Sequence, residues 1–174
     1  MKVCLDAGHG YKRGCATGAR GHGIIEDDWA LKFAERLGHY LRAAGAETVF
    51  TREDEAIVDL KERGRIARRA KSDVFLAIHL NAASAKATGA EIYVAEGDVK
   101  PKALATALLA DLGLQGIPSR GVRWDSQSQH SSLTVLRTTY SYMKSMLLEV
   151  GFLTNDHDAE LLNDKHWVED LAQM

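Results

Sequence analysis

The chain has 174 residues, of which 45% are hydrophobic and 26% are charged, as is ordinary for one globular domain with its own hydrophobic core. Its formal net charge of −2 provides no overall basic field to attract nucleic acid, so we predict no nucleic-acid binding. No apolar run approaches the roughly 20 residues that span a bilayer, so we predict no membrane insertion, and the sequence carries no signal for an oligomeric state.

The chain opens with a short apolar strand, predicted over residues 2–6, which runs into Asp6-Ala7-Gly8-His9-Gly10. Because the strand stops at glycines, His9 is expected in a turn at the edge of a sheet, where open α/β folds place their chemistry. Six glycines in residues 7–25 predict a loop that can wrap around a site. The two cysteines, Cys4 and Cys15, are too few for a cysteine-only metal site.

Apolar residues recur at spacings of three and four after this loop and predict an amphipathic helix from Glu26 to Gly45. Glu26 lies three residues before Trp29, so it should project from the buried side of the helix start, toward the sheet edge. Asp27 and Asp28 are expected to face water.

The rest of the chain alternates strand and helix patterns. In chain order these are a strand at 47–51, a helix at 59–71, strands at 74–78 and 89–94, a helix at 101–113, a polar loop at 114–132, strands at 133–136 and 146–150, and short helices at 159–162 and 166–174. Alternation with short connections predicts an α/β fold, with a mainly parallel twisted sheet of about six strands and helices on both faces. The basic residues of the 59–71 helix are expected on its solvated face.

Residues of the kinds that bind metals follow two predicted strands and open one helix. His9 follows the first strand, His79 follows the apolar run at 74–78, and Glu26 begins the first long helix. Two histidines and one glutamate, with a fourth position open for water, form the ligand set of catalytic zinc. The alternative is a turn histidine, an acid that suits the helix dipole and a strand-end histidine that bonds only to backbone.

Glu149 is a carboxylate in an otherwise apolar strand, so we expect it to be at least partly buried. An unpaired buried carboxylate is costly or takes up a proton. One interpretation is an ion pair with an arginine such as Arg52 or Arg137. The other is a general base with a raised pKa beside a metal.

Taken together, these motifs resemble the zinc-dependent N-acetylmuramoyl-L-alanine amidases, the family of bacterial cell-wall amidases and phage endolysin catalytic domains. The resemblance runs from Lys2 to about Leu162 and rests on five motifs in order: Asp-Ala-Gly-His-Gly at 6–10, Glu26, Thr51-Arg52, Ile-His-Leu-Asn at 78–81, and Leu-Glu-Val-Gly-Phe-Leu-Thr-Asn at 148–155.

The resemblance implies one Zn²⁺ per chain, bound by His9, Glu26 and His79, with Glu149 as the catalytic glutamate. The substrate it implies is peptidoglycan, cut at the amide that joins the lactyl group of N-acetylmuramic acid to L-alanine. The alternatives are a related zinc carboxypeptidase, which needs an arginine clamp for a terminal carboxylate, and a non-catalytic murein-binding module.

Four further residues are candidates for substrate binding. Asn81 and Arg137 could orient substrate or ligands, Trp124 could stack on a sugar, and His130 could contact glycan or peptide. We expect residues 1–174 to form a single catalytic domain without a separate cell-wall-binding module. We also expect synthesis in the cytoplasm without a signal peptide and action on the cell wall, with phage-type release favoured.

Overall fold

The computed structural model describes residues 1–174 and contains ten strands and six α-helices. The strands are β1 (Lys2–Ala7), β2 (Tyr11–Lys12), β3 (Cys15–Ala16), β4 (Arg20–Gly21), β5 (Ile24–Ile25), β6 (Glu47–Phe50), β7 (Val74–Asn81), β8 (Ala90–Val94), β9 (Ser119–Trp124) and β10 (Lys144–Phe152). The helices are α1 (Glu26–Ala43), α2 (Leu60–Arg69), α3 (Lys102–Leu114), α4 (Thr134–Arg137), α5 (Asp156–Asn163) and α6 (Lys165–Gln173). None of these helices is long and apolar enough to cross a bilayer.

Six strands form the central sheet, in the order β6-β1-β7-β10-β8-β9. The first four run parallel to one another, β8 is antiparallel to β10, and β9 runs parallel to β8. The short strands β2–β3 and β4–β5 are two hairpins within the glycine-rich loop. The predicted mainly parallel six-stranded α/β sheet is confirmed.

Helices cover both faces of the sheet, as expected. A cluster of 27 buried residues joins one face to α1, α3, α5 and α6, and a cluster of 10 joins the other face to α2 and α4. In β7, Leu76 and Ile78 belong to the large cluster, whereas Phe75 and Ala77 belong to the small one. Side chains alternate along a strand, so His79 continues the Phe75–Ala77 series and emerges on the face of α2 and α4.

Two predictions between residues 114 and 137 are wrong. The polar segment 114–132 contains β9, and the predicted strand at 133–136 is the one-turn helix α4. A four-residue apolar run does not distinguish strand from helix by its periodicity. In the structure, Val135 and Leu136 are buried together against the small core, and Arg137 pairs with Asp125 through two bonds of 2.6 and 2.7 Å.

The thiols of Cys4 and Cys15 are both free, Cys4 buried in the sheet and Cys15 exposed in a hairpin. Burial raises the pKa of the Cys4 thiol to about 12, and the charge of Asp6 adds to this effect. Cys4 is therefore protonated at neutral pH and packs as a small hydrophobic side chain.

Candidate metal centre and active site

Three side chains converge at the carboxyl edge of the sheet: His9 after β1, Glu26 at the start of α1 and His79 in β7. One ligand atom from each lies within 4.8 Å of the other two. Glu26 Oε1 is 2.9 Å from His79 Nδ1 and 3.1 Å from His9 Nε2. The two histidines therefore contact a buried carboxylate and are not simply bonded to backbone.

His9 occupies a strained turn that two buried arginines hold in place. Its φ of 57° lies in the left-handed region, which is uncommon for residues other than glycine. Arg63 donates to the carbonyls of His9 and Ala7 and pairs with Asp6 at 2.7 Å. Arg52 donates to the carbonyls of Ala7 and Gly8 at 2.9 and 2.8 Å. The prediction that the basic residues of this helix lie on its solvated face is wrong for Arg63, which is 2% exposed.

Glu26 is fixed by the backbone as well as by the histidines. Its Oε2 accepts the Ala19 N–H at 2.9 Å, and its Oε1 accepts the Leu80 N–H at 3.2 Å. Burial alone would raise the pKa of this carboxyl, but the hydrogen bonds and charges of His79 and His9 outweigh burial and hold the pKa well below its ordinary value. Glu26 is therefore an ionised ligand-type group at neutral pH.

Asp27 does not face water, contrary to the sequence prediction. It is 1% exposed and accepts the N–H groups of Gly10, Thr17 and Gly18 at 2.8–2.9 Å. Burial opposes its ionisation, but these backbone bonds outweigh burial and lower its pKa. Asp27 thereby ties the glycine-rich loop to the first turn of α1, next to Glu26.

Gly8 is needed because the His79 ring lies against its backbone. A Cβ at this position would be 2.4 Å from His79 Cε1 and 2.6 Å from both ring nitrogens. These distances are far below van der Waals contact, so any side chain here has to displace the ring. The glycine between β1 and His9 is thus a spatial requirement of the site.

We expect Gly8→Ala to weaken zinc binding by about 10-fold or more, the scale on which displaced supporting groups act on metal ligands. The test is the zinc Kd by chelator competition, with Tm measured in the metal-free state. Gly113→Ala is the matched control, because a Cβ there meets nothing within 4 Å and alanine favours helix. Zinc binding by Gly8→Ala as tight as that of the wild type would contradict this account.

The donor set fits a zinc ion. Two imidazole nitrogens and one carboxylate oxygen are one of the ligand sets of catalytic zinc, and such a site keeps a position open for water or substrate. The exposed fractions of the His9 and His79 side chains are 32% and 17%, so the ligand atoms can be reached from the groove. Glu26 has no lysine or arginine partner, so its charge is available to a cation.

Glu149 lies beside the cluster, paired with His79 across the parallel strands β7 and β10. Its Oε2 atom is buried and has no hydrogen-bond partner. Burial raises the pKa of Glu149 well above its ordinary value, and the charges of Glu26 and Glu91 add to this effect. The ion-pair interpretation is wrong, because Arg52 bonds to backbone and Arg137 bonds to Asp125. A carboxylate beside a candidate metal site with a raised pKa has the properties of a general base.

An open groove of about 980 Å³ contains His9, Glu26, His79 and Glu149. Of the four candidate substrate-binding residues, Asn81 and His130 line it. Arg137 does not line the groove and is paired with Asp125. Trp124 does not line the groove either, and the Lys102 amine lies 4.0 Å from the centroid of the Trp124 ring. Substrate contacts by these four residues stay predictions.

A second buried carboxylate, Glu91, was not predicted from the sequence; it is 3% exposed and faces Glu149 across β8 and β10. Its Oε1 accepts from Asn81 Nδ2 at 2.8 Å and from the Tyr93 hydroxyl at 2.9 Å. Its Oε2 accepts from Arg120 Nε at 2.9 Å and lies 3.1 Å from Arg123 Nε. The available signal was the one that marked Glu149, a carboxylate in an apolar strand.

The chain is similar in sequence to N-acetylmuramoyl-L-alanine amidases over nearly its whole length. The family model for N-acetylmuramoyl-L-alanine amidase (Amidase_3) matches residues 3–174. The Bacillus subtilis (strain 168) protein YqiI is 35% identical over 98% of this chain and 79% of its own length. N-acetylmuramoyl-L-alanine amidase LytC of the same strain is 32% identical, and the endolysin of Bacillus phage SPP1 is 31% identical. The chain spans 33% of LytC and 62% of the endolysin, so it covers only part of these two relatives.

Solved structures agree with the sequence relatives. The catalytic domain of CwlV, an N-acetylmuramoyl-L-alanine amidase from Bacillus (Paenibacillus) polymyxa var. colistinus, superposes with a TM-score of 0.84 at 31% identity. The match covers 99% of this chain and 92% of that domain. Since the family model spans nearly the whole chain, the chain belongs to the N-acetylmuramoyl-L-alanine amidase family.

Proposed function

We propose that this chain is a zinc-dependent peptidoglycan hydrolase that cleaves the amide between the lactyl group of N-acetylmuramic acid and L-alanine. The observation that carries the proposal is the position of Glu149, a carboxylate with an unpartnered buried oxygen, beside the His9–Glu26–His79 cluster in an open groove. Family membership indicates which amide bond is cleaved, and the groove has room for a polymer strand.

In this proposal His9, Glu26 and His79 hold the zinc ion, and Glu149 moves the proton. When bound, zinc supplies Lewis-acid activation of the amide carbonyl and of a water molecule. Glu149 accepts a proton from the attacking water, and its raised pKa lets it keep that proton long enough to pass it on. It then donates the proton to the departing alanine nitrogen, which leaves as an amine. Each turnover thus consumes one water and leaves Glu149 as it began.

The arginines beside Glu91 bear on the carboxypeptidase alternative. Such an enzyme holds the terminal carboxylate one residue from the scissile bond, within about 3.3–3.6 Å of chain. Glu91 on β8 is two strands from His79 on β7, so their backbones are roughly 10 Å apart at the usual strand spacing, and its two arginine partners come from β9, one strand further out. This separation favours an amidase that cleaves at the amino end of the stem peptide, away from its terminal carboxylate.

The proposal places residues 1–174 as the catalytic domain and the cell wall as the site of action. It is tested by digesting purified peptidoglycan with the zinc-loaded protein, with and without a chelator. The products are assayed for newly freed alanine amino groups, for new reducing sugar ends and for free terminal amino acids.

We expect chelator-sensitive release of alanine amines with no new reducing ends. New reducing ends would indicate a glycosidase, and released terminal amino acids would indicate a carboxypeptidase; either result contradicts the proposal. Zinc binding without any product would favour a non-catalytic murein-binding module. The Glu149→Gln protein serves as the control for contaminating hydrolases.

A further inference from the structure

One wall of the groove carries two arginines whose charge exceeds that of their partner. Arg120 and Arg123 lie on β9 and line the groove, and both contact the single carboxylate of Glu91. The side chains of these arginines are 33% and 36% exposed, whereas that of Glu91 is 4% exposed. Two guanidinium groups against one carboxylate leave a net positive charge on this wall.

A β-bulge brings both arginines to one face of the sheet. Residues 120 and 123 are three apart, so regular alternation would place them on opposite faces. The register shifts between Ala90↔Ser119 and Glu91↔Gly121, which leaves Arg120 as the extra residue. Gly121 has a φ of 91°, a conformation that favours glycine, and a bulge of this kind re-aims the neighbouring side chain. The bulge therefore places both arginines on the same wall of the groove.

Both arginines keep donors free. Arg123 contacts Glu91 through Nε, and its two Nη groups have no protein partner. Arg120 uses Nε on Glu91 and Nη1 on the Thr88 carbonyl at 3.2 Å, which leaves Nη2 without a partner. Its guanidinium carbon also lies 5.0 Å from the centre of the Phe152 ring, which restricts its movement. The two free Nη groups of Arg123 can bind a carboxylate through two parallel hydrogen bonds, and Nη2 of Arg120 can add a further bond.

We propose that Arg120 and Arg123 form a subsite for a free carboxylate of the stem peptide, on the second or third residue after the cleaved amide. This inference rests on the proposed function and adds a substrate preference to it. The glycan strand does not fit this wall, because the muramic carboxyl is consumed in the amide and the remaining sugar groups are neutral. The roughly 10 Å between the strand of His79 and Glu91 corresponds to two or three residues of extended peptide.

The first test compares soluble muramyl peptides that differ at one group. One pair carries a free carboxylate or a carboxamide on the second stem residue, and the other pair differs in the same way on the third. We expect kcat/KM to be about 10-fold to 100-fold higher for the carboxylate member of one pair, the range for hydrogen bonds to a charged group. The pair that shows the effect identifies which residue occupies the subsite.

The second test uses Arg123→Gln, which removes the freer of the two guanidinium groups. We expect its activity on carboxylate stems to fall to that on carboxamide stems, through a higher KM and not a lower kcat. Arg123→Lys keeps the charge without the fork and should retain part of the preference. Arg65→Gln is the matched control, since Arg65 is 55% exposed on α2 and pairs only with Glu62, and it should keep the whole preference.

Equal kcat/KM for the members of both pairs in the wild-type protein would overturn the subsite and leave the amidase activity standing. A preference that survives in a folded Arg123→Gln protein would also overturn it. If that variant does not fold, the wild-type comparison still decides. Absence of alanine release from every substrate by the zinc-loaded protein would instead overturn the proposed function, and the subsite with it.

Discussion

Replacement of Glu149 by glutamine is expected to lower kcat by about 100-fold to 10,000-fold, the usual contribution of a positioned general acid–base group. Glutamine has the same shape but can neither accept the proton of water nor deliver one to the alanine nitrogen. The zinc content should stay at one ion per chain, because Glu149 is not among the three clustered ligand residues. The measurement is alanine-amine release at saturating substrate, together with metal analysis of the same sample.

The stability of this variant gives a second readout with a definite sign. Burial raises the pKa of Glu149, so its contribution to folding is most favourable below the ordinary carboxyl value of 4.5 and is lost as the pH rises toward the raised pKa. Glutamine stays neutral at every pH and removes this loss. In the metal-free state we therefore expect the Tm of Glu149→Gln at neutral pH to equal or exceed that of the wild type. Near-normal turnover by a folded, zinc-loaded Glu149→Gln protein would rule out the assigned role.

His79→Ala should lose zinc and activity together. It removes one of the three ligand atoms, and we expect zinc affinity to fall by more than about 100-fold, the upper end of what supporting residues contribute. It also removes a hydrogen bond that lowers the pKa of Glu26, so that pKa should rise toward its ordinary value. The measurements are zinc content after dialysis and the ligand-field spectrum of the cobalt-substituted protein.

The matched control is His166→Ala. His166 is exposed near the start of α6, outside the groove, so its loss should leave zinc content and turnover unchanged. Circular dichroism verifies that both variants are folded. A folded His79→Ala protein that retains its zinc through dialysis would show that the metal is held elsewhere.

The two outcomes separate chemistry from metal binding. Glu149→Gln is expected to be a zinc protein without turnover, and His79→Ala a folded chain without zinc. The separation follows from register, because Glu149 and His79 are paired on adjacent strands but only His79 contacts Glu26. If the two variants behave alike, Glu149 is acting on the metal site and not on the substrate.

The candidate metal site was predictable because its residues lie at the ends of regular elements. His9 follows β1 and His79 lies near the end of β7, the apolar runs of both strands are plain in the sequence, and parallel strands end at a common edge. Glu26 begins a helix, and the apolar period of that helix indicates the side from which Glu26 projects. The family resemblance then supplied the bond to be cut, and the family match confirms the resemblance.

Tertiary structure decided the features that depend on contacts between distant segments. Asp27 and Arg63 have the sequence positions of surface charges in their own helices, but both are buried in the fold. There Asp27 accepts hydrogen bonds from loop N–H groups, and Arg63 donates to turn carbonyls. No local pattern marks β9, because its hydrogen bonds come from pairing with β8. The two-residue period of a strand does not reveal where a bulge inserts one extra residue, yet this bulge places Arg120 beside Arg123.

The sequence by itself thus indicated five of the six strands of the sheet, the candidate zinc ligands and the candidate general base, since each belongs to a periodic element with a defined end. The structure alone decided how the turn around His9 is held and which charges line the groove. The physical reason is that a buried charge is stable only when donors or acceptors from elsewhere in the chain reach it. Those partners, such as Arg63 for Asp6 and Arg120 for Glu91, are brought together only by the folded chain.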